Sequence, residues 1–304
     1  MKVPLAGLEL TSPIIAASGT FGYGIEYEEI VSLDNIGGFV TKGISLEPIV
    51  GNAPPRIVQT AAGMLNAIGL QNIGVEEFIA NKLPPLRRYP RCNVIVNVFG
   101  YTVGEYIAVI ERLNQAEGIA AYELNVSCPN VHAGGMVFGA DPNELAYLVH
   151  RAKAAATRPL IVKLSPNVTS IAHMAKIAAN EGADALSLTN TFLAMSIDPE
   201  TRRPRLANIT GGLSGPAIKP IALRMVYETA RAVTIPIIGM GGITRPEDVV
   251  EYMLAGATAV QVGTASYADP RAVARLTLGL ESWCRSHGVK RVSTLTRALE
   301  IPCA

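Results

Sequence analysis

A cysteine, two lysines and a group of asparagines stand where short apolar runs of this chain end, and each residue type carries a distinct chemistry. Cys128 lies in Asn125-Val126-Ser127-Cys128-Pro129-Asn130, directly after the apolar stretch that begins at Ala121. Pro129 stops a strand, so the cysteine is predicted at the strand's carboxyl end, where parallel α/β folds place their chemistry. A cysteine at such a position is a candidate catalytic group. An isolated cysteine is more often a small buried hydrophobe, and the neighbours decide between the two readings.

Lys42 and Lys163 also fall at strand ends. An unpaired ammonium there is costly, so the pair implies one or two anionic groups in the same place. For Lys163 the competing reading is a structural ion pair. Asn66, Asn72, Asn125 and Asn190 supply neutral donors and acceptors suited to a ring with amide edges, although Asn72 reads equally as a turn former. Gly241-Gly242 and Gly263-Thr264 can offer backbone N–H groups to a phosphate.

The elements that must position these residues are short apolar runs alternating with helical patterns, the signature of βα units around a parallel sheet. Strands are predicted over residues 14–17, 38–42, 94–98, 122–127, 160–163, 185–189, 237–240 and 259–262. Eight is the number of a closed barrel, and the eight ends carry Ser18, Lys42, Asn97, Cys128, Lys163, Thr189-Asn190, Gly241-Gly242 and Gly263-Thr264. Polar residues often end strands; the complete set is the signal. A single (β/α)8 TIM barrel, one domain over residues 1–304, is therefore expected. Asp141-Pro142 with Glu144 reads as a helix start, followed by an inward stripe of Leu145, Leu148, Val149 and Ala152. Thr244 with Glu247 reads as a capping box, with Met253 and Leu254 on the buried face and Gly256 as the stop. Two connections are too long for turns, 43–74 after the second strand and about 191–215 after the sixth, and long ordered loops on this face usually cover a site. The first 13 residues, centred on Gly7, read as a hairpin closing the barrel floor.

Composition narrows the function classes. Among 304 residues, 26 Lys+Arg against 25 Asp+Glu give no basic stripe for nucleic acid. No run reaches the roughly 18 apolar residues of a membrane span, and no signal peptide is evident. Cys92, Cys128, Cys284 and Cys303 are far apart with no C-x-x-C pair, so neither a zinc site nor an iron–sulfur cluster has local ligands. The four histidines do not cluster: His150 and His173 fall on predicted helices, His132 in a loop, and His287 after the sole Trp. No metal is expected, and a reduced, cytoplasmic protein is.

Across nearly its whole length the chain resembles the dihydroorotate dehydrogenases, on Ser18-Gly-Thr-Phe-Gly-Tyr-Gly24, Thr41-Lys-Gly43, Asn66-Ala-Ile-Gly-Leu-Gln-Asn72, the cysteine motif at 125–130 and the later glycine pairs. The resemblance implies a barrel that uses flavin mononucleotide (FMN) to oxidise dihydroorotate to orotate in pyrimidine synthesis. It makes Cys128 the base that removes the C5 proton while hydride passes from C6 to flavin N5. It puts Lys42, Asn66, Ala67, Ile68, Gly69, Leu70, Asn125, Asn190 and Thr191 on the substrate. It assigns Ser18, Lys42, Gly43, Asn97, Asn125, Lys163, Thr189, Gly215, Gly241, Gly242, Gly263 and Thr264 to the flavin. Thr189 departs from the pattern, since the family often has an aliphatic residue there.

The cysteine base and the lack of an N-terminal membrane helix resemble the soluble subgroups. Of these, Ser18–Gly24 is more similar to the NAD-reducing type, in which the flavin chain pairs with a subunit carrying FAD and a [2Fe-2S] cluster as a heterotetramer of two copies each. The chain has neither a dinucleotide fingerprint nor a cysteine set for a cluster, so it cannot supply those cofactors itself. The other soluble subgroup is a fumarate-reducing homodimer. Two further readings stand apart: a dihydrouridine synthase, which acts on RNA and should carry a basic surface, and a catalytically silent barrel serving as a binding scaffold, against which Cys128, Lys42 and Lys163 count.

Overall fold

The chain is seen in a computed structural model that describes residues 1–126 and 138–301. Eight parallel strands close a barrel: β1 (Ile14–Ala16), β2 (Gly38–Val40), β3 (Asn93–Val98), β4 (Ala121–Asn125), β5 (Leu160–Lys163), β6 (Ala185–Leu188), β7 (Ile237–Met240) and β8 (Ala259–Val262). Each pairs with its sequence neighbours, and β8 closes on β1 through Val260↔Ile14 and Val262↔Ala16. Most strand residues are fully buried, as expected where helices cover a parallel sheet. The eight predicted strands are all present, and some end sooner than the apolar runs imply. β2 stops at Val40 and the strand pattern breaks beyond it: the Lys42 amide donates to Gly22 O, in the loop after β1. β6 likewise stops at Leu188 and β4 at Asn125.

Among the described residues six longer helices surround the barrel: α1 (Val103–Asn114), α2 (Pro142–Ala155), α3 (Ile171–Asn180), α4 (Lys219–Ala232), α5 (Pro246–Ala255) and α6 (Ala272–Ser286). α2 starts as predicted, with Asp141 accepting from the amides of Asn143 and Glu144 at 2.8 and 3.0 Å, and it buries Leu145, Leu148, Val149 and Ala152. The start of α5 differs by one residue. Asp248, not Glu247, closes the turn, accepting from Thr244 N, Thr244 Oγ1 and Arg245 N. Asp248 is also the buried one, held by Lys219 Nζ at 2.7 Å, so tertiary pairing selects it over its exposed neighbour. On that helix Met253 is buried while Leu254 is only half-buried, because Tyr252 occupies the inner face.

The N-terminal hairpin pairs Val3–Leu5 with Leu8–Leu10 around Ala6 and Gly7, both at positive φ. Its Glu9 carbonyl accepts from Asn93 Nδ2 at the first residue of β3, which sets the hairpin at the amino end of the barrel. At the opposite end the two long connections pair with each other. Ile57–Thr60, Gly63–Asn66, Thr210–Ser214 and Phe192–Met195 form one antiparallel sheet in that spatial order, joined across the insertions by Asn66↔Gly212 and Met64↔Ser214. Val58, Leu65, Ala67 and Leu206 give this sheet a small apolar cluster of its own.

Candidate active site

The carboxyl ends of the strands and the antiparallel sheet enclose one cavity of about 790 Å³, a volume typical of small-molecule and cofactor sites. Ser18, Lys42, Gly43, Asn97, Asn125, Lys163, Thr189, Asn190, Gly241, Gly242, Gly263 and Thr264 line it from the barrel side. Asn66, Ala67, Ile68, Gly69, Leu70, Thr191 and Gly215 line it from the two insertions. Cys128 lies outside the described residues, as do His132 and Cys303. Asn125, three residues before Cys128, stands in the cavity wall, and its backbone carbonyl accepts from the buried Tyr106 hydroxyl at 2.7 Å. Asn72 is a brace: its Oδ1 accepts from Ser45 N and Gly74 N, and its Nδ2 donates to Ser45 Oγ and Leu70 O. Its capacity is spent on holding the 43–74 connection.

Beneath the cavity a network crosses the barrel interior. Glu123, fully buried on β4, accepts from Asn97 Nδ2 at 2.8 Å, Ser187 Oγ at 2.9 Å and Gln261 Nε2 at 2.6 Å, and Lys163 Nζ lies 3.8 Å away. Three donors and a cation offset the cost of removing a carboxylate from water. Asn97 Oδ1 in turn accepts from Asn125 Nδ2 at 3.4 Å. Glu123, Ser187 and Gln261 were missed in reading the sequence. Their signal was present: each is a polar residue within a buried strand, where a polar group must find partners.

Lys42 is half-buried at the mouth, and its pKa is lowered, first by burial and then by the nearby Arg56. An ammonium in that setting gains most from an anionic ligand. Around β7 the backbone itself forms the wall. A Cβ on Gly241 would meet Ala222 Cβ at 2.7 Å, and one on Gly242 would meet Lys219 Cβ at 2.8 Å and Gly215 O at 2.9 Å. Both glycines have positive φ, so no other residue fits this cradle without strain. Thr264 Oγ1 donates to Ser214 Oγ at 2.8 Å, fastening the end of β8 to the overlying sheet. Two buried side-chain atoms of the wall, Thr189 Oγ1 and Gln261 Oε1, have no hydrogen-bond partner among the described residues.

Two other cysteines, Cys92 and Cys284, are buried free thiols; burial pushes Cys92 up to about 12. Neither lines the cavity. Among the described residues no cluster of His, Cys, Asp or Glu suits a metal, and no helix is long and apolar enough to cross a membrane.

The sequence matches the dihydroorotate dehydrogenase family over residues 1–283. It is 57% identical over 300 residues, covering 99% of this chain and 98% of the other, to a Pelobacter propionicus protein named dihydroorotate dehydrogenase B (NAD(+)), catalytic subunit. A Citrifermentans bemidjiense protein of the same name is 54% identical over 301 residues, with 99% and 98% covered. A Solibacter usitatus protein, provisionally named dihydroorotate dehydrogenase A (fumarate), is 54% identical over 300 residues with the same coverage.

Proposed function

The chain belongs to the dihydroorotate dehydrogenase family, and from that premise we propose that it is the FMN-bearing catalytic subunit of an enzyme that oxidises dihydroorotate to orotate and passes the electrons to NAD+ through a partner subunit. The family makes it an oxidoreductase of pyrimidine biosynthesis. One observation carries the finer reading: a single cavity gathers two lysines, amide side chains and a glycine-walled cradle between the strand ends and the paired insertions.

The residues present fit FMN. The Gly241-Gly242 cradle admits a close-lying ligand, and Gly263 and Thr264 beside it would hold the phosphate with backbone N–H groups. Asn97, Asn125, Lys163 and Thr189 would hold the ring, and the unpartnered Thr189 Oγ1 and Gln261 Oε1 leave polar capacity for it. Ser18, Gly43 and Gly215 would complete its surroundings. When bound, FMN supplies the acceptor for the substrate's C6 hydride.

The chain's own side chains do the rest. Lys42 would carry the positive charge for the orotate carboxylate, while Asn66, Asn125, Asn190 and Thr191 orient the pyrimidine ring through its amide edges. Backbone from Ala67 to Leu70 closes the substrate side. Cys128 would take the C5 proton as general base. The partner would carry FAD and a [2Fe-2S] cluster, in a heterotetramer of two catalytic and two electron-transfer chains. The relatives' designation as a catalytic subunit supports such a partner.

The Solibacter relative's name favours a second reading, direct turnover with fumarate. An assay of the purified chain with dihydroorotate against fumarate, NAD+ and an artificial dye separates the two. The proposal expects dye reduction, weak NAD+ reduction, and strong NAD+ reduction once the FAD and iron–sulfur subunit is added. Brisk fumarate turnover, or full NAD+ activity from this chain alone, contradicts it.

A further inference from the structure

The functional reading gives roles to the lysines, amides and glycines of the cavity and leaves Glu123 without one. A carboxylate only accepts hydrogen bonds, so any amide facing it must present its NH2 and turn its carbonyl away. Asn97 and Gln261 both face Glu123, at 2.8 and 2.6 Å. Their other ends are thereby fixed. Asn97 Oδ1 becomes the acceptor for Asn125 Nδ2. Gln261 Oε1, on a cavity-lining residue that is 1% exposed, becomes an acceptor with no partner among the described residues. A buried acceptor in that position is costly unless a ligand donates to it. The same carboxylate places negative charge 3.8 Å from Lys163 Nζ.

We propose that Glu123 is a positioning residue of the flavin site: it sets the amide orientations of Asn97 and Gln261, so that Gln261 would present an acceptor to FMN in the cavity, and it holds a negative charge at the cavity floor next to Lys163. The inference rests on the FMN reading. It explains why an acid is kept inside the barrel, where apolar side chains would hold the strands together equally well. Reduced flavin carries more negative charge than oxidised flavin, so the Glu123 charge should disfavour reduction.

The test compares wild type with Glu123→Gln, measuring FMN affinity of the flavin-depleted chain and the reduction potential of bound FMN. Glutamine brings its own NH2 against three donors, so at least one neighbouring amide must turn. Oxidised FMN should bind about tenfold more weakly, because a turned amide offers the ring a donor where it needs an acceptor. The ratio of affinities should shift about tenfold towards reduced FMN, which is a potential more positive by about 30 mV for a two-electron couple. If Glu123→Gln does not fold, Gln261→Met carries the test with the carboxylate intact, and FMN affinity should drop by about fivefold. A lowered melting temperature with wild-type FMN affinity and potential would mean that Glu123 only ties strands together, and would overturn the inference. A wild-type chain that takes up no FMN would instead overturn the flavin reading on which it stands.

Discussion

The two sides of the cavity are built in different ways. The barrel side is a closed ring of eight strands whose register leaves no free edge, and its buried Asn97, Lys163, Ser187 and Gln261 gather around Glu123. The opposing sheet is assembled from two insertions more than a hundred residues apart. It rests on a four-residue apolar cluster and leaves Ile57, Leu193 and Met195 exposed. The charged residues lining the cavity, Lys42 and Lys163, sit on the barrel side above Glu123, whereas the sheet lines it with uncharged residues such as Ile57, Gln59, Met64 and Asn66. A rigid ring can hold charges at fixed positions for electron and proton transfer, and a separately assembled cover can vary to suit the substrate.

If that division holds, changes on the barrel side should alter chemistry and charge recognition, and changes in the sheet away from Ser214 should alter chiefly substrate affinity. The largest effect is expected from Cys128→Ser. A hydroxyl is a far weaker base than a thiol, so stopped-flow flavin reduction by dihydroorotate should slow by about a hundredfold or more while FMN stays bound. Wild-type speed in that variant would remove Cys128 from the mechanism.

Lys42→Ala comes next. Loss of a charge-assisted contact should weaken orotate binding by at least about tenfold and affect FMN less, as read by titrating the bound flavin's spectrum. The pH dependence carries the same assignment. On the proposed assignment the charged form of Lys42 would bind the carboxylate, and its pKa is lowered from the ordinary lysine value, chiefly by burial and further by Arg56. Orotate affinity should therefore fall as pH rises from neutrality towards about 10, and the part of that fall due to Lys42 should be missing in Lys42→Ala. A wild-type profile that is flat would contradict the role.

A smaller effect is expected in the sheet. A methyl on Gly212 would lie 1.9 Å from Thr191 Oγ1 and 2.5 Å from its Cβ, so Gly212→Ala must displace Thr191. An overpacking cost of about 1 kcal/mol should raise KM for dihydroorotate roughly fivefold with FMN affinity unchanged. Weakened FMN binding in this variant would erase the distinction between the two sides. Least of all, Asp141→Ala removes the N-cap of α2, where the side chain accepts two amides. It should cost about 1 kcal/mol of stability, lowering Tm by about 2 °C, with kcat unchanged.

Legibility in the sequence followed the same division. Apolar runs such as Leu160–Lys163 and Ala259–Val262 announced the strands because burial on both faces leaves few polar residues in them. The pairing of Asn66 with Gly212 could not be read, because register between distant insertions leaves no local periodicity. Strand ends were overextended at Lys42 and Thr189, where apolar or β-branched residues continue after the ladder has stopped. Asp248 was passed over for Glu247 because only the packing of α4 against α5 brings Lys219 to it. Lys163 and Asn97 were legible as strand-end residues. Glu123 and Gln261 were overlooked because a lone polar residue inside a strand does not show its partners on other strands.

The visible spectrum of the purified chain tests the central claim most directly. With FMN bound, anaerobic addition of dihydroorotate should bleach the flavin absorption, and orotate should form in equal amount. A chain that takes up no FMN, or that holds FMN whose absorption dihydroorotate leaves unchanged, would contradict the account.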